Sequence, residues 1–173
     1  AQTLTVTTID DADTVGLVLS KSSGVVSENG SVSDNFSVVL TSEPTDNVTV
    51  TVTDNESTEV LFSPTTLTFG NGNWSVAQWV TLTGKDDNVS DDNQSTLLTL
   101  TPSSSGDSKY HNILLSKNLT VTTSDNDTVG LMVSRDNVTV DERNGTDNFT
   151  VRLQSEPQDN VTLTVTDNDS TEV

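Results

Sequence analysis

Apolar residues alternate with threonine and serine along most of this chain. Phe36, Val38 and Leu40 share one side of their segment, with Ser37 and Thr41 on the other. Val48, Val50 and Val52 interleave with Thr49, Thr51 and Thr53, Leu98 and Leu100 bracket Thr99, and Leu119 and Val121 bracket Thr120. A period of two marks a strand with one buried face, and the β-branched Val and Thr suit that setting. The pattern predicts strands over 16–20, 24–27, 35–41, 47–53, 59–62, 66–69, 77–83, 95–101 and 117–123. Between them lie clusters such as SEPTDN and GNGN, which read as turns. No segment carries a helical period. Short strands at this spacing predict an all-β, antiparallel, immunoglobulin-like β-sandwich. Phe36, Phe62, Phe69, Trp79 and Tyr110 read as core or core-edge residues, and Trp74 as a loop residue capping the sandwich.

The strand pattern repeats. LTVTTIDDADTVGLVLS at 4–20 returns as LTVTTSDNDTVGLMVS at 119–134, and DNFSVVLTSEPTDNVTVTVTDNESTEV at 34–60 returns as DNFTVRLQSEPQDNVTLTVTDNDSTEV at 147–173. The shift is 115 residues from Leu4 to Leu119 and 113 from Pro44 to Pro157. That period of about 114 residues is the size of one ordinary domain, so tandem sandwiches are expected rather than a short-repeat solenoid. On this reading residues 1–14 are the last strand of a preceding repeat, 15–128 one complete sandwich and 129–173 the first half of the following repeat. The chain then reads as a segment of a longer repetitive protein.

Composition narrows the function. Apolar residues are 31% of the 173 and aromatics 4%, which suits a thin two-layer fold. The formal charge is −19, with 26 acidic and 7 basic residues. Such a chain repels nucleic acid and anionic membranes and attracts cations. There is no cysteine to brace the fold, and no apolar run long enough to span a membrane, so direct membrane insertion is not expected. Catalysis finds no support. The single histidine, His111, stands alone in DSKYHN, and neither a thiol nor a phosphate-cradling glycine loop is present.

The acids are grouped at predicted strand ends. Asp10, Asp11 and Asp13 follow one strand, and Asp125 and Asp127 follow its repeat. Asp86 and Asp87 follow WVTLTG, with Asp91 and Asp92 further along the same loop. Glu28 (repeat equivalent Glu142), Asp54 and Glu59 (equivalents Asp167 and Glu172) occupy other loops. Alternate loops of an antiparallel sandwich emerge at one end, so these acids could converge on one pole. Converged carboxylates suit a hard divalent cation, Ca²⁺ above all. A solvated acidic surface is the other reading. The EF-hand spacing does not fit, since DNDTVG has Val at the fifth position and no Glu at the twelfth.

Several stretches together resemble the Calx-beta domain, in particular its versions in large microbial surface and adhesin proteins. They are SENG at 27–30, FSVVLTSEPTDNVTVTVT at 36–53, STEVLFSPTTLTF at 57–69, NWSVAQWVTLTGKDDNVSDD at 73–92, DSKYHN at 107–112 and LTVTTSDNDTVG at 119–130. The resemblance implies a seven-stranded sandwich that binds Ca²⁺ at one pole, near the junction with the next domain. It implies metal ligands at Glu28, Asp86, Asp87, Asp91, Asp125 and Asp127, with Glu59 or Asp54 from the intervening loop. The terminal acidic triplet is here Asp125-Asn126-Asp127, with an amide at its centre, and Asn88, Val89 and Ser90 separate Asp87 from the next acids.

Fourteen of the 16 asparagines begin Asn-x-Ser/Thr. With Ser and Thr at 52 of 173 residues, about five would be expected by chance. The expected N-glycan sites are Asn29, Asn35, Asn47, Asn55, Asn73, Asn88, Asn93, Asn118, Asn137, Asn144, Asn148 and Asn160. Asn126 and Asn168 complete the set, but a metal site would compete with a glycan at Asn126. The whole reading is a non-enzymatic, secreted structural repeat of a filament, surface layer or stalk, stiffened by Ca²⁺ between repeats. Its partners would be neighbouring repeats of the same chain, other copies in a fibre, and N-linked glycans. The alternative is a ligand- or cell-binding adhesin module.

Overall fold

The computed structural model describes residues 2–7, 13–55, 58–111, 115–141, 143 and 145–166. It divides into two compact units: Ala1–Asp86 with Asp92–Asp125, and Asp87–Asp91 with Asn126–Val173.

Among its described residues the first unit is a two-sheet sandwich of nine strands. They are β1 (Leu17–Leu19), β2 (Ser23–Ser27), β3 (Ser33–Leu40), β4 (Val48–Thr53), β5 (Val60–Ser63), β6 (Thr66–Phe69), β7 (Gln78–Gly84), β8 (Gln94–Ser103) and β9 (Lys117–Ser124). Each falls within two residues of the expected bounds. One sheet has the order β1-β3-β7-β5, the other β2-β9-β8-β4-β6. The alternating positions turn inward: Phe36, Val38, Val80 and Leu82 from one sheet meet Val48, Val50, Leu98 and Leu119 from the other, all fully buried. This shared inner face is the core of a lean β-sandwich, with most strand threonines on the outer faces and Thr96 and Thr123 buried. Among the described residues no helix is long and apolar enough to cross a membrane.

One pairing departs from the antiparallel expectation. The first strand is split: β1 runs antiparallel to β3, then the chain crosses at Ser20–Ser22 and β2 joins the other sheet parallel to β9. The side-chain pattern alone cannot distinguish the two ladders, since both place alternate residues inward.

Trp79 is also a correction. It was expected in or at the edge of the core, but it is 57% exposed. The period of β7 explains this: Val80 and Leu82 are buried, so Trp79 must point to the outer face. Trp74 packs against the core, as does Phe62.

At the end of the unit where β8 finishes, Tyr110 is buried. Its hydroxyl donates to the Ser42 carbonyl at 2.7 Å and accepts the Ser42 N–H at 3.2 Å. Asp107 lies buried beside it and accepts the N–H groups of Thr45 at 2.8 Å, Lys109 at 2.9 Å and Tyr110 at 3.4 Å.

The second unit contains β10 (Leu131–Val133) and β11 (Val151–Leu153), paired antiparallel. Its hydrogen bonds repeat those of the first unit. Lys21–Asp34 at 2.5 Å is matched by Arg135–Asp147 at 2.7 Å. Ser20 Oγ accepts the Ser37 N–H as Ser134 Oγ accepts that of Thr150, both at 2.9 Å. The sequence repeat is thus a repeat of local structure. Burial differs: Phe36 is 0% exposed and its equivalent Phe149 is 42%. Among its described residues this unit forms no strands besides β10 and β11, so it lacks counterparts of β2 and of β4 to β9, which complete the sandwich in the first.

Candidate metal centre

Four strand ends meet at one pole of the first unit. β2 finishes at Ser27, level with Ser124 at the end of β9. β7 finishes at Gly84, opposite Val60 at the start of β5. The two sheets touch here: a Cβ added to Gly84 would lie 2.2 Å from the Ser27 carbonyl oxygen, so only glycine fits. The sequence places acids just beyond these ends. Glu28 follows β2, Asp125 follows β9, Asp86 lies two residues past β7, and Glu59 precedes β5.

Backbone bonds fix them. The Glu28 N–H donates to Ser124 O at 3.2 Å, and the Lys85 N–H donates to Glu59 O at 2.9 Å. The Thr123 hydroxyl also donates to Glu59 O, at 3.4 Å. Glu28 is 2% exposed, and its carboxylate has an oxygen within 4.8 Å of one from Asp125. Asp125 Oδ2 accepts the Asp92 N–H at 3.0 Å, and the Asp125 N–H donates to Asn93 Oδ1 at 3.1 Å. Asp92 has φ +65°, a left-handed conformation that Asp tolerates better than most residues. The half-buried Glu59 accepts the Thr58 hydroxyl through Oε1 at 2.7 Å, while its Oε2 is shut away from solvent.

Glu28, Asp125 and Glu59 are therefore gathered at one pole. Asp86, two residues past the end of β7, is exposed. Asp54 is set back: its neighbour Thr53 pairs with Thr99, five residues along β8 from Gln94, which is itself level with Thr123. Asp87, Asp91 and Asp127 belong to the second unit. There Asp87 Oδ1 accepts the Val89 N–H at 2.8 Å, and Asp91 and Asp127 each keep one carboxylate oxygen shielded from solvent. The Ser90 hydroxyl donates to Asp127 O at 3.2 Å.

Two carboxylates this close, one of them buried, repel unless a cation or proton lies between them. The donors are all oxygen, without thiolate or imidazole, and this chemistry fits Ca²⁺ better than a softer metal. The sequence reading did not include the Asp92–Asn93 wrap around Asp125 or the glycine contact at Gly84. The glycine that closes WVTLTG was their one visible signal.

The expected glycan sites Asn29, Asn35, Asn47, Asn55, Asn73, Asn88, Asn93, Asn118, Asn137, Asn148 and Asn160 are all exposed, and Asn144 lies outside the described residues. Asn73 Nδ2 donates to Thr68 O at 3.2 Å.

No family model matches the chain, and no curated protein matches its sequence. Solved structures of similar fold include the apo-form Calx CBD1 domain, at TM-score 0.45 and 16% identity, covering 64% of this chain and 98% of that one. The calcium binding domain CBD12 of CALX1.1 gives TM-score 0.46 and 17% identity over 69% of this chain and 50% of that one. The YadV chaperone gives 0.46 and 10% over 64% of this chain, which spans about half the length of that protein, 52%. What this chain has in common with them is the fold its own strands establish, an all-β, immunoglobulin-like sandwich whose strands pair antiparallel except β2 with β9.

Proposed function

We propose that this chain is a structural β-sandwich repeat of a secreted, N-glycosylated filament, surface layer or stalk. Ca²⁺ held at the acidic pole fixes the orientation of one sandwich relative to the next. The observation that carries the reading is the approach of Glu28 and Asp125 to within 4.8 Å, with Glu28 buried. Glu59 sits at the same pole, and Asp127 follows Asp125 by two residues, so the chain leaves the sandwich through its acids. A divalent ion there would neutralise charges that otherwise push the junction open, and so stiffen it. Support for glycosylation is the exposure of every described sequon asparagine among the expected sites, together with the excess of sequons over chance.

The test is thermal melting with Ca²⁺ and with chelator. A ligand bound only by the folded state stabilises it by roughly 2.7 kcal/mol at a hundredfold excess over Kd. Ca²⁺ should therefore raise the melting temperature by several degrees. Glu28→Gln should abolish that rise while leaving the chelated protein as stable as before or slightly more so, because it removes one of two facing charges. A melting temperature indifferent to Ca²⁺ removes the metal part of the proposal.

A further inference from the structure

The outer face of the β1-β3-β7-β5 sheet carries an exposed tryptophan with no structural role in the core. Trp79 pairs across β3–β7 with Ser37, and the next outward pair is Asn35 with Thr81. Asn35 and Ser37 are the first and third residues of one Asn-x-Ser sequon, and the residue between them, Phe36, points into the core. The strand period therefore presents the acceptor asparagine and Trp79 on the same face, as diagonal neighbours on adjacent strands. Such neighbours are about 7–8 Å apart, within reach of long side chains. Asn35 is exposed.

We infer that Asn35 carries an N-glycan whose first sugar packs on the indole of Trp79. The inference rests on the glycoprotein reading above and adds a specific contact to it. Chemistry favours this partner. A pyranose presents a face of C–H groups, which an indole face accepts while its rim remains wet, so an exposed Trp suits a ring that is apolar on one side and hydroxylated at its edge. The contact would cover a large apolar surface that the fold itself leaves open, without closing the sheet against other molecules by a protein interface.

The experiment uses the whole chain made in an N-glycosylating secretory host. Site occupancy is mapped by mass spectrometry, and nuclear Overhauser contacts are sought between the Trp79 indole protons and the innermost sugar. Occupied Asn35 with such contacts is the expected result. Asn35→Gln should then lower the melting temperature by about 2–4 °C in the Trp79 protein and leave it unchanged in a Trp79→Ser background. In unglycosylated protein from a bacterial host, Asn35→Gln should change neither. If Asn35 is unoccupied while other sequons are filled, the inference fails and the glycoprotein reading stands. If no sequon is filled, both fail. An occupied Asn35 with no indole–sugar contacts, or with equal loss in both backgrounds, overturns the stacking alone.

Discussion

Asp107 is a buried charge held by three peptide N–H groups rather than by a cation. Burial is the largest influence on its carboxyl and pushes its pKa up, but the bonds from Thr45, Lys109 and Tyr110 together outweigh it and hold it below its ordinary value of 3.8. A carboxyl depressed on folding adds stability above its unfolded pKa, and that contribution is lost as the pH falls through the lower folded value. Acid should therefore weaken the loop that seats Tyr110. Asp107→Asn keeps the shape but replaces an acceptor oxygen with a donor facing N–H groups. It should cost about 1–3 kcal/mol at neutral pH in urea unfolding and flatten the acid limb of the stability curve. An unaltered acid limb would place the acid sensitivity elsewhere. Of the residues that matter at this scale, Tyr110 could be expected in the core from its type, but Asp107 could not. An Asp in DSKYHN reads as a turn residue, and only the fold reveals which amides surround it.

At the scale of elements, the strands were legible because alternation and turn clusters agree along almost the whole chain. On β9 the pattern makes a sharp contrast: Leu119 is fully buried, while the adjacent Thr120 is exposed. Leu119→Ala should cost roughly 2–4 kcal/mol by leaving a cavity between the sheets, whereas Thr120→Ala should stay within about 0.5 kcal/mol. Equal effects in denaturant unfolding would mean that the register of β9 is wrong by one residue. What could not be read is equally specific. Trp79 reads as core or core-edge from its type, against the register that Val80 and Leu82 impose. The parallel pairing of β2 with β9 was hidden because ladder direction leaves no mark on side-chain order. The acidic pole was legible as a tendency of loops to emerge together. The selection of Glu28, Asp125 and Glu59 over Asp54 depends on how far β4 stops short of the strand end, a distance no spacing encodes.

At the scale of the whole molecule, the hydrogen bonds around β10 and β11 repeat those around β1 and β3 on nearly the same sequence. The β2–β9 ladder has a mechanical meaning. Because these strands run side by side in the same direction, traction on the N-terminal end of one and the C-terminal end of the other loads all their rungs at once. Gripped instead at matching ends, they would unzip rung by rung. The absence of cysteine makes the comparison direct, since introduced thiols are unique attachment points. In single-molecule stretching, handles at S23C and S124C should withstand several-fold more force than handles at S23C and K117C. A sandwich wired this way would yield abruptly under tension rather than fray.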